Sequence, residues 1–273
     1  NNPTPQMVRI RHCRLVHHSI GATILLVAAT TSCFPDLTLD ESLDRLVDLE
    51  FTAVEIAINE LDNQIKPSEI LADVENAYDR CRKSHRLDVV NYSVGITATG
   101  DEHYQQFAAI CELARITKVV SITVPSAELG TPFNEEVEHL QRLVALAHKE
   151  GVQVNIRNQS DCLAADPDTI TVLCDNVDNL GLAFDPSVYI CGSEVGKDPE
   201  KLIKYIRHLY LRDSSPDDYQ VRVGQGTVDY GQLVHTLNKM QYRRAMSVDI
   251  IPQEGIEHSA EMRKMRLLLE SLL

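Results

Sequence analysis

The chain alternates between two hydrophobic periods. Short stretches carry apolar residues continuously or at every second position, as strands do. Longer ones carry them every third or fourth position, as helices with one buried stripe do. On this pattern strands fall at residues 23–30, 51–58, 88–94, 118–124, 152–157, 180–185, 208–212 and 244–250. The helices between them are marked by their ends. Thr38, with Glu41 three positions on, forms a capping box ahead of Leu43, Leu46 and Val47, which share a face. Pro67 opens a helix over 68–84, Asp101 begins one running to 116, and a helix over 134–150 ends at Gly151, a natural residue to follow a helix. Shorter helices fall at 167–174 and 199–204, and another starts near Val228 after the turn Gly224-Gln225-Gly226. An amphipathic helix over 259–272, with Met262, Met265, Leu268 and Leu269 on one face, closes the series.

Strands that alternate with helices imply parallel pairing, because each parallel connection needs a crossover. Eight such units in 273 residues match an α/β fold of the (βα)8 TIM-barrel type with eight parallel strands. A doubly wound open sheet is the competing arrangement, but no GxGxxG follows the first strand. No Pro/Ser/Gly-rich linker divides the chain, so residues 1–273 read as one domain with 1–20 as an N-terminal extension. Residues 7–31 admit two readings. Arg9, Arg11 and Arg14 ahead of the apolar run 20–29 look like a secretory signal, whereas 23–30 also reads as a buried parallel strand. The strand is preferred, because a helix start follows at once and a ring of eight would otherwise lack its first member. Residues 6–18 read as an added strand or arm with no assigned function.

The net charge of −14 argues against a protein that tracks nucleic-acid backbone, which needs clustered Lys and Arg, and favours small-molecule chemistry. Seven scattered cysteines without a CxxC pair argue against zinc ribbons and disulfide frameworks and point to a reducing compartment, the cytoplasm. No membrane or nucleic-acid partner is expected, and a homo-oligomer is compatible with the pattern.

Side chains alternate faces along a strand, so the non-aliphatic parity of each strand faces the barrel interior. That parity gathers Glu55 and Asn59, Ser121 and Thr123, Gln153, Asn155 and Arg157, Asp185, then His208, Tyr210 and Arg212, and finally Ser247 and Asp249. An ordinary barrel interior is filled by Val, Ile and Leu. Burying Glu55, Arg157, Asp185, Arg212 and Asp249 singly would cost several kcal/mol each, so they are expected to pair in a network that a polar ligand joins. If the strand register is off by one, Arg157 is instead a solvated rim residue. Gly224 and Gly226 either present backbone N–H groups to an anion beside Arg212 and Arg222 or form only a tight turn. His208 reads as a hydrogen-bonded core residue, and His85, His103, His139, His148, His235 and His258 as surface residues.

Four segments, LTLDESLDRLVDLEFTAVEI (37–56), GLAFDPSVY (181–189), HLYLRDSS with VGQGTVDYGQLVHTL (208–237) and YRRAMSVDI (242–250), resemble the xylose-isomerase-like TIM-barrel superfamily over roughly residues 22–273. That superfamily includes sugar-phosphate isomerases and epimerases and endonuclease IV. The resemblance implies a divalent cation held by a Glu from strand five, an Asp from strand six, a His from strand seven and a Glu from strand eight. Hard oxygen ligands with one imidazole suit manganese, magnesium or zinc.

Here Asp185 matches the strand-six Asp, and Asp249 stands one methylene short of the strand-eight Glu. Tyr210 takes the His position, Arg157 the strand-five Glu position, and Val188 the place of a second His. A guanidinium stays protonated and cannot ligate a metal. No cofactor is therefore expected, with a divalent ion near Asp185 and Asp249 as the fallback, and Arg157 stands in for the ion's charge.

The implied activity is isomerisation or epimerisation of a sugar or sugar phosphate by proton transfer next to a carbonyl. Asp185, Asp249 or Glu55 would act as acid and base, Arg157 and Arg212 would stabilise the enediolate, and Tyr210, Arg212, Asn155, Arg222, Gly224 and Gly226 would bind substrate. The alternative is a non-catalytic barrel that binds a sugar, a polyol or a partner protein. Endonuclease-type DNA repair is disfavoured by the acidity and the missing ligands.

Overall fold

The computed structural model describes residues 25–84 and 86–273; the N-terminal extension, the arm at 6–18 and His85 lie outside them. Eight strands follow one another around a closed parallel barrel: β1 (Leu26–Thr30), β2 (Ala53–Asn59), β3 (Asp88–Gly95), β4 (Ser121–Pro125), β5 (Gln153–Arg157), β6 (Gly181–Phe184), β7 (Ile206–Leu211) and β8 (Ala245–Val248). β8 pairs with β1, so no sheet edge remains and the open-sheet alternative fails. The apolar run after residue 23 thus supplies the ring's first strand.

The helices are α1 (Leu39–Asp48), α2 (Pro67–Ala72), α3 (Val74–Cys81), α4 (Gly100–Thr117), α5 (Phe133–Lys149), α6 (Pro167–Asn176), α7 (Tyr230–Lys239) and α8 (His258–Glu270). The expected capping box is present: Glu41 N–H donates to Thr38 Oγ1, and Thr38 N–H donates to Glu41 Oε2 at 2.9 Å. Two helix expectations need correction. The single helix over 68–84 is two helices, because Asp73 is extended (φ −156°, ψ 91°) and its carboxylate caps α3 through Asn76 N–H at 2.9 Å. The expected helix at 199–204 is a 3-10 turn over Glu200–Tyr205. Strand four also begins three residues late, since Lys118 leaves α4 in a left-handed conformation (φ 63°).

The large apolar core lies between strands and helices and takes in the parity the strands turn outward, such as Val54, Ile56 and Ile58 or Val154 and Ile156. The barrel's own interior is different. Its apolar filling shrinks to a small plug of Ala28, Ala53 and Ala245, flanked by Leu26 and Val90. Above it the inward positions are largely polar, with Ala57, Ala183 and the Tyr210 ring among them. Two register shifts shape this interior: β3 carries an extra residue, Val90, opposite Val54/Glu55, and β7 an extra residue, Arg207, opposite Leu182/Ala183. The first brings Asn91 level with Glu55.

Three histidines expected at the surface are half-buried instead. His139 Nδ1 lies 3.0 Å from Tyr104 Oη, and His258 Nε2 lies 2.8 Å from the carbonyl of Cys33. Burial, with His103 and Arg142 nearby, pushes His139 down to about 4, so it is neutral at physiological pH. His103 is half-buried beside it, whereas His148 and His235 are exposed. Cys33, Cys81, Cys111, Cys162, Cys174 and Cys191 are free thiols. Among the described residues no helix is long and apolar enough to cross a membrane.

Gly181 opens β6 with no room for a side chain: an added Cβ would stand 2.3 Å from Asn155 Oδ1 and 2.6 Å from Arg207 Cγ. Gly181→Ala should therefore lower stability by about 1–3 kcal/mol, read from urea unfolding midpoints at unchanged m-value.

Candidate functional site

Four inward-facing charges meet where β5, β6, β7 and β8 end. Arg157 Nη2 donates to Asp185 Oδ2 at 3.2 Å and to Asp249 Oδ2 at 2.5 Å. Arg212 Nη2 makes the same pair of contacts at the same two distances. Two guanidinium groups thus share two carboxylate oxygens. Tyr219 Oη adds a third donor to Asp185 Oδ2 at 3.0 Å, and the N–H of Ser187 donates to Asp185 Oδ1 at 3.0 Å. Asn158 fixes the backbone of the same residue, accepting from Asp185 N–H at 2.6 Å and donating to its carbonyl at 2.7 Å.

Arg157 is held from beneath. Its guanidinium carbon lies 3.9 Å from the centroid of the Tyr210 ring, and its side chain is 22% exposed, which rules out the solvated-rim placement. Tyr210 is wholly buried, so it supports Arg157 and does not itself reach the cavity. Burial works against the charge on Asp249, but Arg212 and then Arg157 outweigh it and hold the carboxyl below the usual carboxylate range. Burial likewise opposes the charge on each arginine. Asp249 and then Asp185 outweigh it and hold both groups above the usual guanidinium range.

These residues floor a cavity of about 580 Å³ open at the barrel mouth, with Arg157, Arg212, Tyr219 and Asp249 on its wall beside Gln159 and Cys191. Its size lies within the ~300–1,000 Å³ of small-molecule sites. A second hollow of about 190 Å³ adjoins it across Arg157 and Gln159, and Ser32, Asn59 and Asp62 line it. Burial raises the Asp62 carboxyl.

Several expected site residues fall elsewhere. Glu55 sits mid-strand in β2, wholly buried, and belongs to a deeper cluster. Its Oε2 lies 2.7 Å from His208 Nε2 and accepts from Asn91 Nδ2 at 2.9 Å and from Ser247 Oγ at 3.2 Å. His208 is therefore the hydrogen-bonded core residue its pattern implied. Asn155, two residues below Arg157, donates to Ser121 Oγ at 2.9 Å and is sealed from the mouth. The anion cradle at Gly224 and Gly226 is filled from within: both N–H groups donate to Asp213 Oδ2, at 2.8 and 3.0 Å. Gly224 takes φ 87°, and a Cβ on Gly226 would lie 2.0 Å from Asp213 Oδ1, so both glycines serve this internal bracket. Arg222 is exposed and does not line the cavity. Pattern reading missed Tyr219 and Asn158. Both lie in loops, where no period marks an inward face, although Asn158 directly follows Arg157.

The model of the xylose isomerase-like TIM barrel family matches residues 43–266, and the chain belongs to that family. No curated protein sequence matches it. Solved structures with the same fold include a xylose isomerase-like TIM barrel protein from Mycobacterium smegmatis in complex with magnesium, at 14% identity and a TM-score of 0.71. That match covers 92% of this chain and 99% of the other. D-allulose 3-epimerase from Methylomonas sp. matches at 12% identity and a TM-score of 0.70, over 91% and 98% of the two chains. A xylose isomerase domain protein from Planctomyces limnophilus matches at 16% identity and a TM-score of 0.68, over 91% and 96%.

Asp249 sets a pH-dependent share of stability. Because its folded value lies below its unfolded one, its contribution is fully present above about pH 4 and is lost as pH falls through the folded value. Asp249→Asn should cost about 3–5 kcal/mol at neutral pH by leaving two guanidinium groups short of a partner. The gap to wild type should narrow below about pH 4, as read from denaturant unfolding across pH 2.5–7.

Proposed function

We propose that the chain acts on a sugar or sugar phosphate as an isomerase or epimerase, by proton transfer next to a carbonyl, with Arg157 and Arg212 supplying the positive charge that family relatives draw from a divalent ion. The observation that carries this is the pair of guanidinium groups at the cavity floor, both hydrogen-bonded to the Asp185 and Asp249 carboxylates. The donor set does not fit an ion. Oδ2 of both carboxylates already faces two guanidinium groups, Tyr210 is sealed beneath Arg157, and no group of three or more His, Cys, Asp or Glu converges among the described residues. A cation placed there would sit against two fixed positive charges.

The chemistry follows from competition for the arginines. In the free site Asp249, clamped by both, is a weak base. A substrate oxygen gaining negative charge draws N–H groups from Arg157 and Arg212, and this loosens their hold on Asp249. Its affinity for a proton rises as the substrate binds, so base strength is coupled to occupancy. The same donors stabilise the developing enediolate. Asp185, wholly buried with three donors on one oxygen, anchors the arginines, and Glu55 is wholly buried against His208 and Asn91.

A second reading, a barrel that binds a sugar or polyol without turnover, draws support from one observation: Asp185 and Asp249 are clamped and Glu55 is sealed. Thermal-shift screening of ketohexoses and their phosphates, with and without Mn²⁺, Mg²⁺ and chelator, identifies the ligand class. Incorporation of solvent deuterium next to the carbonyl then separates the two readings. We expect a shift that chelator does not abolish, exchange in wild type, and a loss of about 100-fold or more in exchange for Arg157→Met. Binding without exchange would establish the second reading. A stoichiometric divalent ion at Asp185 and Asp249, in protein purified without chelator, would overturn the arginine substitution.

A further inference from the structure

The opposite face of the barrel carries an unneutralised cluster of positive charge. We propose that the hollow at the barrel base, bordered by Lys118, Arg207, Arg243 and Arg244, is a binding site for a small phosphate-bearing anion, free or carried on a metabolite. The hollow measures about 260 Å³ and opens beside the first residues of β1, β4 and β8. That is below the ~300–1,000 Å³ typical of drug-sized ligands and suits a compact anion.

Three independent observations carry this. The first is the charge itself. In a chain of net charge −14, these four cations line one hollow, and no carboxylate among the described residues forms an ion pair with any of them. Arg80, Arg115, Arg142, Arg157, Arg212 and Arg266, by contrast, each pair with a carboxylate. Residues 1–24 and His85 contain no Asp or Glu, so they hold no side-chain carboxylate to neutralise the cluster.

The second is the backbone. Both register shifts of the barrel fall here: the extra residue of β7 is Arg207 and the extra residue of β3 is Val90, and both line the hollow. Bulges at barrel rims re-aim side chains out of the ladder. Arg207 is then pinned, its Nη1 donating to the carbonyls of Lys204 and Ile206, each at 2.9 Å. Arg243 is pinned likewise by the carbonyl of Tyr242 at 2.9 Å. Holding guanidinium groups in place before a ligand arrives lowers the entropy cost of binding it.

The third is the surroundings. Leu26, Val89, Val90, Val120 and Ala245 form apolar walls, which focus the field of the cations into the hollow. Partial burial, opposed by Tyr242 and aided by the like charge of Arg207, shifts Arg244 downward, a direction that a bound anion reverses. Arg–phosphate contacts are frequently bidentate, so arginines gathered at one hollow suit a phosphate.

Isothermal titration with orthophosphate, pyrophosphate and a hexose phosphate, at low and high NaCl, tests the assignment. Wild type should bind pyrophosphate with an affinity that falls as salt rises, and hexose phosphate binding that persists in Arg157→Met but is lost in the base variants shows that a phosphate on a metabolite is also taken there. Arg243→Gln with Arg244→Gln, both exposed positions, should weaken binding at least about tenfold, while Arg157→Met at the mouth should leave it unchanged. Circular dichroism confirms folding, and Lys118→Gln should show a smaller loss if the double variant does not fold. Absence of pyrophosphate binding at millimolar concentration, or binding that survives the base variants and disappears in Arg157→Met, overturns the proposal without touching the reading of the mouth.

Discussion

The structure of the mouth depends on two guanidinium groups sharing two carboxylate oxygens. Each of the four charges is buried or nearly so, and alone each would cost several kcal/mol to remove from water. Together they sum to zero and satisfy one another, so β5 to β8 can end in charged residues without opening the ring. The Tyr210 ring completes the arrangement by presenting an aromatic face to Arg157. Removing the sharing would leave charges buried in a barrel interior whose apolar cluster at the base is small, three alanines flanked by Leu26 and Val90.

Most of the fold was legible because periodicity reports burial directly. Strands buried on one side by helices and on the other by polar interior chains alternate, and helices over them repeat every three or four residues. The parity argument also found the inward charges. It could not give their height along the barrel axis. Glu55, Asn155 and Arg157 share the inward parity, yet Glu55 pairs with His208 and Asn155 with Ser121 inside the ring, and only Arg157 reaches the cavity. Height depends on strand stagger and on bulges such as the one at Val90, which are products of tertiary pairing. The break at Asp73 was hidden for a different reason. A residue that both leaves one helix and caps the next keeps the apolar spacing intact across the kink. In the Gly224–Gly226 turn the sequence left an anion cradle and a bare tight turn open, and the acceptor of the N–H groups is the chain's own Asp213.

The two ends of the barrel treat charge in opposite ways. At the mouth, positive and negative groups are matched side chain for side chain. At the base, cations from β7, the approach to β8 and the end of α4 stand against apolar walls with no described carboxylate opposite them. A barrel of parallel strands makes this separation natural, because each strand runs from one face to the other and residues a few positions apart serve different surfaces.

On the function proposed above, Arg157 does the work of a bound ion and is joined to the chain by covalent bonds. It is delivered by translation, always present in unit stoichiometry, and needs no loading step or exclusion of wrong ions. In that reading the site cannot be starved by scarcity of a trace element or emptied by a competing chelator. It also gives up the freedom to change its centre of charge for another of different size or hardness.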